Sequence, residues 1–189
     1  MKTHHLTTPL TKETLATLNA GDNVFLSGTV YTARDAAHLR MTQALCENQQ
    51  LPVDLRGEVI FYAGPTPAPP GKPIGSIGPT TSGRMDPYTE AMLAYGTLAF
   101  IGKGERNDDV KKALKKYGGV YFAAIGGCAA HMAACITQSE EVAYLDLGPE
   151  SIKKLTVVNL PIICAVDSRG VDAYAQGVSD YTKTLLKKD

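Results

Sequence analysis

The sequence predicts a single α/β domain with a mixed sheet or a three-layer arrangement. Strand-like and helix-like segments alternate through the earlier part of the chain, and strands outnumber helices later. With 189 residues, of which 44% are hydrophobic and 20% charged, the chain can bury a sizeable core. We therefore assign residues 1–189 to one domain, in which residues 176–189 form a polar helical tail.

Two strand-loop-helix junctions are predicted in the first half of the chain. Residues 22–31 (DNVFLSGTVY) are rich in β-forming side chains, and residues 33–49 follow with apolar side chains near helical spacing. A further short strand at residues 58–63 leads into a proline-rich loop. A strand at 74–78 and a helix at 86–96 then make the second junction.

The second half continues in the same style and then becomes strand-rich. Its short apolar runs predict strands, and its polar segments predict helices and loops. The predicted elements are a strand at 97–101, a helix at 108–118, a strand at 120–125, a helix opening at Gly126 and Gly127, and strands at 141–147, 155–160 and 162–168.

The N-terminal residues and the overall charge exclude several classes of protein. The first fifteen residues, MKTHHLTTPLTKETL, lack the apolar run of a signal peptide, and no later stretch is long enough to span a bilayer, so we expect a cytoplasmic protein. His4 and His5 are expected to lie in a mobile terminus. Nineteen basic residues balance nineteen acidic ones, which argues against a broad basic surface for nucleic acid or an anionic membrane.

The cysteines do not form a metal-binding pattern. Each lies among apolar neighbours and none belongs to a CxxC pair, so we expect reduced, mostly buried thiols and no metal site made by this chain. The four are Cys46, Cys128, Cys135 and Cys164.

Three cations lie beside glycine or small residues at the predicted ends of strands. They are Arg34 in TARDAAH, Arg84 in GPTTSGRMD and Lys103 in IGKGER. Binding sites in α/β folds form at the carboxyl ends of strands, so these cations are expected to line one pocket. Because the arginine fork can hold a carboxylate through two parallel hydrogen bonds, two arginines and a lysine fit a small dicarboxylate.

Structural explanations compete with this interpretation. Thr81 or Ser82 can cap a helix, which would leave GPTTSGRMD an ordinary turn. Arg34 can pair with Asp35 or another acid on the surface. His38 lies one turn after Arg34 and is expected to pack or cap rather than to catalyse.

The combination of motifs resembles one enzyme family across residues 6 to 175. The sequence is similar to the β subunit of class I, iron-sulfur-dependent fumarate hydratases, to the C-terminal domain of their single-chain forms and, more distantly, to the β subunit of L-tartrate dehydratase. GPTTSGRMD carries most of this resemblance and TARDAAH is second. The other matching segments are GDNVFLSGTVY, IGKG, AIGGCAA and PIICAVDSRG, in the same order as in the family.

The resemblance implies a hydro-lyase that interconverts (S)-malate and fumarate. It implies a swivelling three-layer β/β/α domain with a mixed sheet, and an α subunit as the partner in a hetero-oligomer. That α subunit would hold a four-iron four-sulfur cluster whose open iron acts as a Lewis acid on the departing hydroxyl. The absence of a clustered cysteine set here agrees with this division.

The same resemblance assigns roles to individual residues. Arg34, Arg84 and Lys103 are implied contacts of the substrate carboxylates, and Thr81 is included as a substrate-binding residue. Thr80 is implied to move the C3 proton, and Arg84 joins it as a catalytic residue. A hydroxyl has a high pKa, so we expect Thr80 to act beside a strong cation or as a relay.

Other functions stay open at this point. An L-tartrate dehydratase β subunit would need further side chains for the extra substrate hydroxyl, which the sequence does not reveal. A stand-alone dicarboxylate-binding domain without catalysis would keep the same cations. A nucleotide-binding site is disfavoured, because GPTTSGR lacks the GK[ST] ending of a phosphate-binding loop.

Overall fold

The computed structural model describes residues 1–185, in which seven strands and six helices are joined by loops and two 3-10 turns. The strands are β1 (Thr3–Thr7), β2 (Asn23–Thr32), β3 (Val59–Phe61), β4 (Ala99–Gly102), β5 (Val120–Ala123), β6 (Ile136–Ala143) and β7 (Ile152–Val166). The helices are α1 (Lys12–Ala16), α2 (Asp35–Cys46), α3 (Asp86–Tyr95), α4 (Asp108–Tyr117), α5 (Ala129–Ala134) and α6 (Ala173–Leu185). The 3-10 turns are Ser82–Met85 and Leu145–Glu150.

The strands form one mixed sheet that closes on itself. Their order is β1-β2-β3-β4-β5-β7-β6, and β2 also pairs with β7, so the five strands β2, β3, β4, β5 and β7 make a barrel-like ring. Strands β2 to β5 are parallel neighbours, whereas β7 is antiparallel to both β2 and β5. The α/β class and the mixed sheet are therefore confirmed, and the closed arrangement is a feature that the sequence pattern did not indicate.

Alternation along the short parallel strands separates two buried clusters. Val59 and Phe61 of β3 belong to a cluster with side chains of β1, β7 and α1. Ile60 and the following Tyr62 belong to a second cluster with side chains of α2, α3 and α4. Successive side chains of a strand point to opposite faces, so β3, β4 and β5 each contribute to the first cluster with one face and to the second, helix-side cluster with the other.

The N-terminus is part of the sheet, which the sequence did not predict. His4 and His5 lie in β1, which pairs in parallel with β2. His4 Nε2 lies 3.1 Å from Asp22 Oδ2, and the ring of His5 stacks on Phe25 at 5.3 Å between centroids. The expectation of a mobile terminus at these histidines was wrong.

Residues 74–78 are not a strand, which corrects a second prediction. Their backbone bonds to loop partners instead, since Ser76 O accepts from Thr66 N at 3.0 Å and Ile77 N donates to Ala129 O at 3.3 Å. The first sheet-like pairing after them is an isolated antiparallel bridge between Pro79 and Ala63.

The late strands also differ from the prediction. The segments 155–160 and 162–168 belong mainly to one strand, β7, which passes through Pro161 without ending. Its pairing with β2 shifts register beside Asn159, whose φ is 50°, so the chain bends there and continues. Residues 145–150 form a 3-10 turn rather than the end of a strand.

The polar tail lies partly outside the described residues. Helix α6 covers Ala173–Leu185 and has no buried side chain, while residues 186–189 of the predicted tail fall beyond the described range. Within residues 1–185, none of the helices combines the length and apolar character needed to cross a membrane.

Candidate active site

Four parallel strands end at one edge of the sheet, and the predicted site residues follow those ends. Arg34 lies two residues after β2, and Lys103 directly follows β4. Neighbouring parallel strands present their carboxyl ends at the same edge, where α/β proteins bind ligands. The structure thus places Arg34 and Lys103 at a common edge, separated by the end of β3.

Thr80 and Thr81 lie between the ends of β3 and β4. Thr80 N donates to Tyr62 O at 2.7 Å, and Thr80 O accepts from Lys103 N at 3.3 Å. Thr81 pairs with Lys103 as an isolated parallel bridge, and Ser82 N donates to Lys103 O at 3.0 Å. These main-chain bonds join the two threonines and Lys103 into one segment at the edge.

Gly102, the first glycine of IGKG, allows the end of β4 to lie close to Ser82 and Tyr62. A Cβ built on Gly102 would lie 1.8 Å from Ser82 Oγ and 2.9 Å from the ring of Tyr62, so no larger residue fits without displacing the turn. Ser82 Oγ lies 2.9 Å from the hydroxyl of Tyr121, which in turn donates to Gly104 O at 2.9 Å. Burial raises the pKa of Tyr121, which keeps it protonated as the donor in this chain of bonds. Ser82 therefore anchors the turn and does not cap a helix.

Arg84 projects from the 3-10 turn and pairs with the start of α2. Its Nε donates to Asp35 Oδ1 at 3.0 Å, and its Nη2 lies 2.8 Å from Asp35 Oδ2. Half of the Arg84 side chain is exposed. Asp35, which the sequence analysis considered as a partner of Arg34, therefore holds Arg84 instead.

Arg34 pairs with a different carboxylate. It precedes α2 in extended conformation, and its Nη2 lies 3.2 Å from Glu150 Oε1, while Glu150 Oε2 accepts from Ala36 N at 3.1 Å. Arg34 packs over Gly64, where an added Cβ would lie 2.7 Å from Arg34 Nη1. The two arginines are thus brought together at the start of α2, each beside an acid of this chain.

Lys103 is exposed, and its side chain packs near a glycine of the loop after β5. Its Cδ lies 3.8 Å from the position of a Cβ on Gly126 in the loop after β5. Within residues 1–185, no carboxylate forms an ion pair with Lys103 (the ion pairs found involve other cations). The lysine is therefore available to an anion from outside the described chain.

His38 packs beneath Arg34, as the sequence analysis expected. It is fully buried, and because Arg34 O can only accept, the hydrogen bond of 2.9 Å to that oxygen requires the proton on His38 Nδ1. Its ring contacts Tyr62 and Tyr88 at 5.3 and 6.0 Å between centroids. Burial lowers the pKa of His38 to about 4, so the ring is neutral and supports the loop.

The buried His38 predicts a pH dependence of stability. Its pKa in the folded protein, about 4, lies below the ordinary value of 6.5, so acid favours the unfolded chain, which binds the extra proton. The stabilisation is complete above pH about 6.5 and declines by about 3 kcal/mol as the pH falls towards 4. Urea unfolding across this range should show a smaller decline for His38→Gln. His131→Gln, which replaces an exposed histidine, should behave as wild type; an unchanged slope for His38→Gln would contradict the assignment.

Arg106 is a buried residue of the site that the sequence analysis missed. Its Nε donates to Asp86 Oδ1 at 2.6 Å and its Nη2 to Thr89 Oγ1 at 2.6 Å. Its guanidinium carbon lies 5.4 and 5.0 Å from the ring centroids of Tyr62 and Tyr121. A lone arginine in a polar loop gives no periodic signal, so nothing in GKGER distinguished it from a surface charge. It fixes the start of α3 directly behind Arg84.

The described residues do not fit an iron-sulfur cluster as its ligands. In residues 1–185, no group of three or more histidine, cysteine, aspartate or glutamate side chains is placed to hold a metal. The cysteines are free, and only Cys164 is buried, which corrects the expectation of mostly buried thiols. Burial raises the pKa of Cys164 to about 12, whereas a cluster requires thiolates.

The candidate residues line an open edge rather than an enclosed cavity. Thr81, Arg84 and Lys103 are exposed, and Thr80 and Arg34 are half-buried. A cavity of about 510 Å³ lies elsewhere, between β1, β2, β7 and the segment around α5, and none of these five residues lines it. A small anion bound at the edge would therefore be covered on one side only by this chain.

Comparison with known proteins relates this arrangement to a family. The family model described as "Fumarase C-terminus" matches residues 1–177. The class I, anaerobic fumarate hydratase of Escherichia coli is 39% identical over 181 residues, which is 93% of this chain and 33% of that protein. Mitochondrial fumarate hydratase 1 of Leishmania major is 41% identical over 153 residues, covering 80% of this chain and 28% of that protein.

A shorter relative matches along most of its own length. The putative L(+)-tartrate dehydratase subunit beta of Methanocaldococcus jannaschii is 41% identical over 177 residues, which is 88% of this chain and 89% of that subunit. By contrast, the chain spans only about a third of the fumarate hydratases. The match of the family model over residues 1–177 shows that this chain belongs to the fumarase C-terminal family.

Proposed function

We propose that this chain is the β subunit of a hydro-lyase that interconverts (S)-malate and fumarate plus water. The observation that carries the proposal is the position of Arg34, Arg84 and Lys103, which follow neighbouring strand ends and the turn between them at one open edge. Three cations so arranged suit the two carboxylates of a small diacid. The names of the longer relatives, which are fumarate hydratases, support the choice of reaction.

In this proposal an α subunit supplies the remaining half of the site. The fumarate hydratases are about three times as long as the matched region, and the tartrate dehydratase relative is called a beta subunit, both of which support a second component. The four-iron four-sulfur cluster would be held by that subunit, since the described cysteines do not group here. We further propose a cytoplasmic hetero-oligomer in which this chain is a three-layer β/β/α domain that swivels towards its partner.

The proposed role of the cations is to stabilise charge that develops during proton abstraction. Removing a proton from C3 of malate places negative charge on the adjacent carboxylate, and fixed cations lower the energy of that state more than that of bound malate. Arg34, Arg84, Lys103 and Thr81 would bind the diacid, and the Thr80 hydroxyl would take or relay the C3 proton beside Arg84. The main-chain bonds of Thr80 to Tyr62 and Lys103 leave its hydroxyl available for this role.

A second candidate is an L-tartrate dehydratase β subunit. It is favoured by one observation, the match over 89% of the putative tartrate dehydratase subunit. Both reactions remove water from a hydroxylated diacid, so the same three cations would serve either substrate. The two candidates differ in the side chains that would bind the second hydroxyl of tartrate.

Coexpression with the proposed α subunit under anaerobic conditions tests the function. We expect a brown complex that hydrates fumarate, while the β subunit alone is colourless and inactive. Turnover of tartrate without turnover of malate would support the second candidate. A solitary chain that binds succinate but yields no active complex would contradict the hydro-lyase and support a dicarboxylate-binding domain.

A further inference from the structure

We propose that Asp35 is a positioning residue that orients the guanidinium of Arg84 towards the substrate. This inference rests on the proposed function, because it assigns Arg84 a substrate carboxylate. The starting observation is the ion pair in which Arg84 Nε donates to Asp35 Oδ1 at 3.0 Å and Nη2 lies 2.8 Å from Oδ2, although Oδ2 accepts no hydrogen bond. Asp35 would act only through Arg84, without touching the substrate.

The contact uses one edge of the guanidinium and leaves the other free. Arginine has five N–H donors in one plane; Asp35 accepts a hydrogen bond from Nε and lies close to Nη2 on the same edge of the guanidinium. The edge formed by Nη1 and the second hydrogen of Nη2 can still hold a carboxylate through two parallel bonds. Asp35 therefore fixes the plane in which a substrate carboxylate would lie.

Asp35 is itself held in place by the start of α2. It is the first residue of that helix, where the backbone dipole favours an acid. Arg34, immediately before it, is held by Glu150, and Glu150 also accepts from Ala36 N. The start of α2 therefore holds both arginines at the candidate site: Arg34 directly precedes the helix, and Asp35 binds the guanidinium of Arg84.

The main chain around Arg84 is fixed by other contacts. Ser82 bonds to Tyr121 on one side of the turn, and Asp86 bonds to Arg106 on the other. These contacts do not involve the guanidinium, so removing the charge of Asp35 should leave the turn folded. What Asp35 determines is the direction of a long side chain that is half exposed.

Asp35 could instead inhibit Arg84, and that role predicts a change in KM of the opposite sign. If Asp35 blocked Arg84 by occupying it, Asp35→Asn would release the cation and lower KM for malate. If Asp35 orients Arg84, the same substitution lets the side chain move, so KM rises and kcat falls. The sign of the change in KM therefore distinguishes the two.

The experiment compares Asp35→Asn, Arg84→Ala and the double variant in the reconstituted complex. For Asp35→Asn we expect kcat/KM to fall about 10- to 100-fold, the range for a hydrogen bond to a charged group. The double variant should be no worse than Arg84→Ala, because Asp35 acts only through that arginine. Asp146→Asn is the matched control: it removes the acid that pairs with Arg40, further along α2, and should leave activity unchanged.

A spectroscopic readout keeps this inference separate from the proposed function. In NMR spectra of the full chain, the Nε–H signal of Arg84, identified by its loss in Arg84→Lys, should shift in Asp35→Asn and not in Asp146→Asn. An unshifted signal, a lowered KM, or an additive loss in the double variant would overturn the positioning role. If Arg84→Ala itself turned over malate like wild type, the proposed function would fail, and the NMR signal would still decide whether Asp35 orients Arg84.

Discussion

Arg84→Ala is expected to lower kcat/KM for malate in the reconstituted enzyme by about 10²- to 10³-fold. The substitution removes a cation that would bind the ground-state carboxylate and stabilise the charge that develops on it. KM should therefore rise and kcat should fall together. Steady-state kinetics of the purified complex measure both changes, and circular dichroism checks that the turn and helices are retained.

Two further variants separate the charge of Arg84 from its shape. Arg84→Lys keeps the charge but loses the two-point fork, so its activity should lie between those of wild type and Arg84→Ala. Arg56→Ala removes an exposed arginine that pairs with Asp54 and should leave the kinetics unchanged. If Arg84→Ala had wild-type kcat and KM, Arg84 would not be a substrate-binding or catalytic residue.

Thr80→Ala is expected to lower kcat by about 10²- to 10⁴-fold, the usual size of a proton-transfer contribution, with little change in KM. The alanine keeps the main-chain bonds that Thr80 makes to Tyr62 and Lys103, so the edge should stay intact. Only the hydroxyl is removed. Steady-state kinetics, together with exchange of the C3 hydrogen of malate in deuterated water, measure the loss.

The controls for Thr80 test the hydroxyl specifically. Thr80→Ser keeps the group and should retain most of the activity. Thr137→Ala removes an exposed threonine of β6 and should have no effect. A parallel rise in KM and fall in kcat for Thr80→Ala would indicate a substrate contact instead of a proton-transferring group.

Local sequence signals were sufficient for the first of the two junctions at the candidate site and for the helix of the second, but not for the strand predicted at 74–78. The strand that ends near Thr32 and the helix from Asp35 follow from residue pattern, because β-forming side chains fill the first segment and apolar side chains lie near helical spacing in the second. The turn Ser82–Met85 follows from glycine, hydroxyl and proline chemistry around it. These signals act over a few residues; they place Arg34 directly before α2 and Arg84 in the turn that precedes α3.

Features that depend on contacts between residues far apart in the sequence could not be predicted from local patterns. The closing pair of β2 and β7 joins residues more than a hundred positions apart, for example Val24 opposite Ile162, and no periodicity within either segment encodes it. Pro161 suggests a break in β7, but the pairing on both sides carries the strand through. The partner of Arg84 is likewise determined by the fold, since Asp35 is nearer in sequence to Arg34.

Burial of the cysteines and of Arg106 also depends on the fold rather than on sequence neighbours. Apolar neighbours in sequence suggested mostly buried cysteines, yet only Cys164 is buried and Cys46 lies at the exposed end of α2. Arg106 has polar neighbours but is only 3% exposed, because Asp86, Tyr62 and Tyr121 enclose it. Sequence neighbours predict burial only where a regular element aligns them with a core.

The proposed function requires three cations of this chain to converge on one small diacid at a shared edge. A crystal structure of the anaerobic complex with succinate, a diacid that cannot lose water, measures this directly. We expect succinate oxygens within hydrogen-bonding distance of Arg34, Arg84 and Lys103, facing the partner subunit. Succinate bound elsewhere, with these three side chains free of it, would show that the three cations do not form the substrate site.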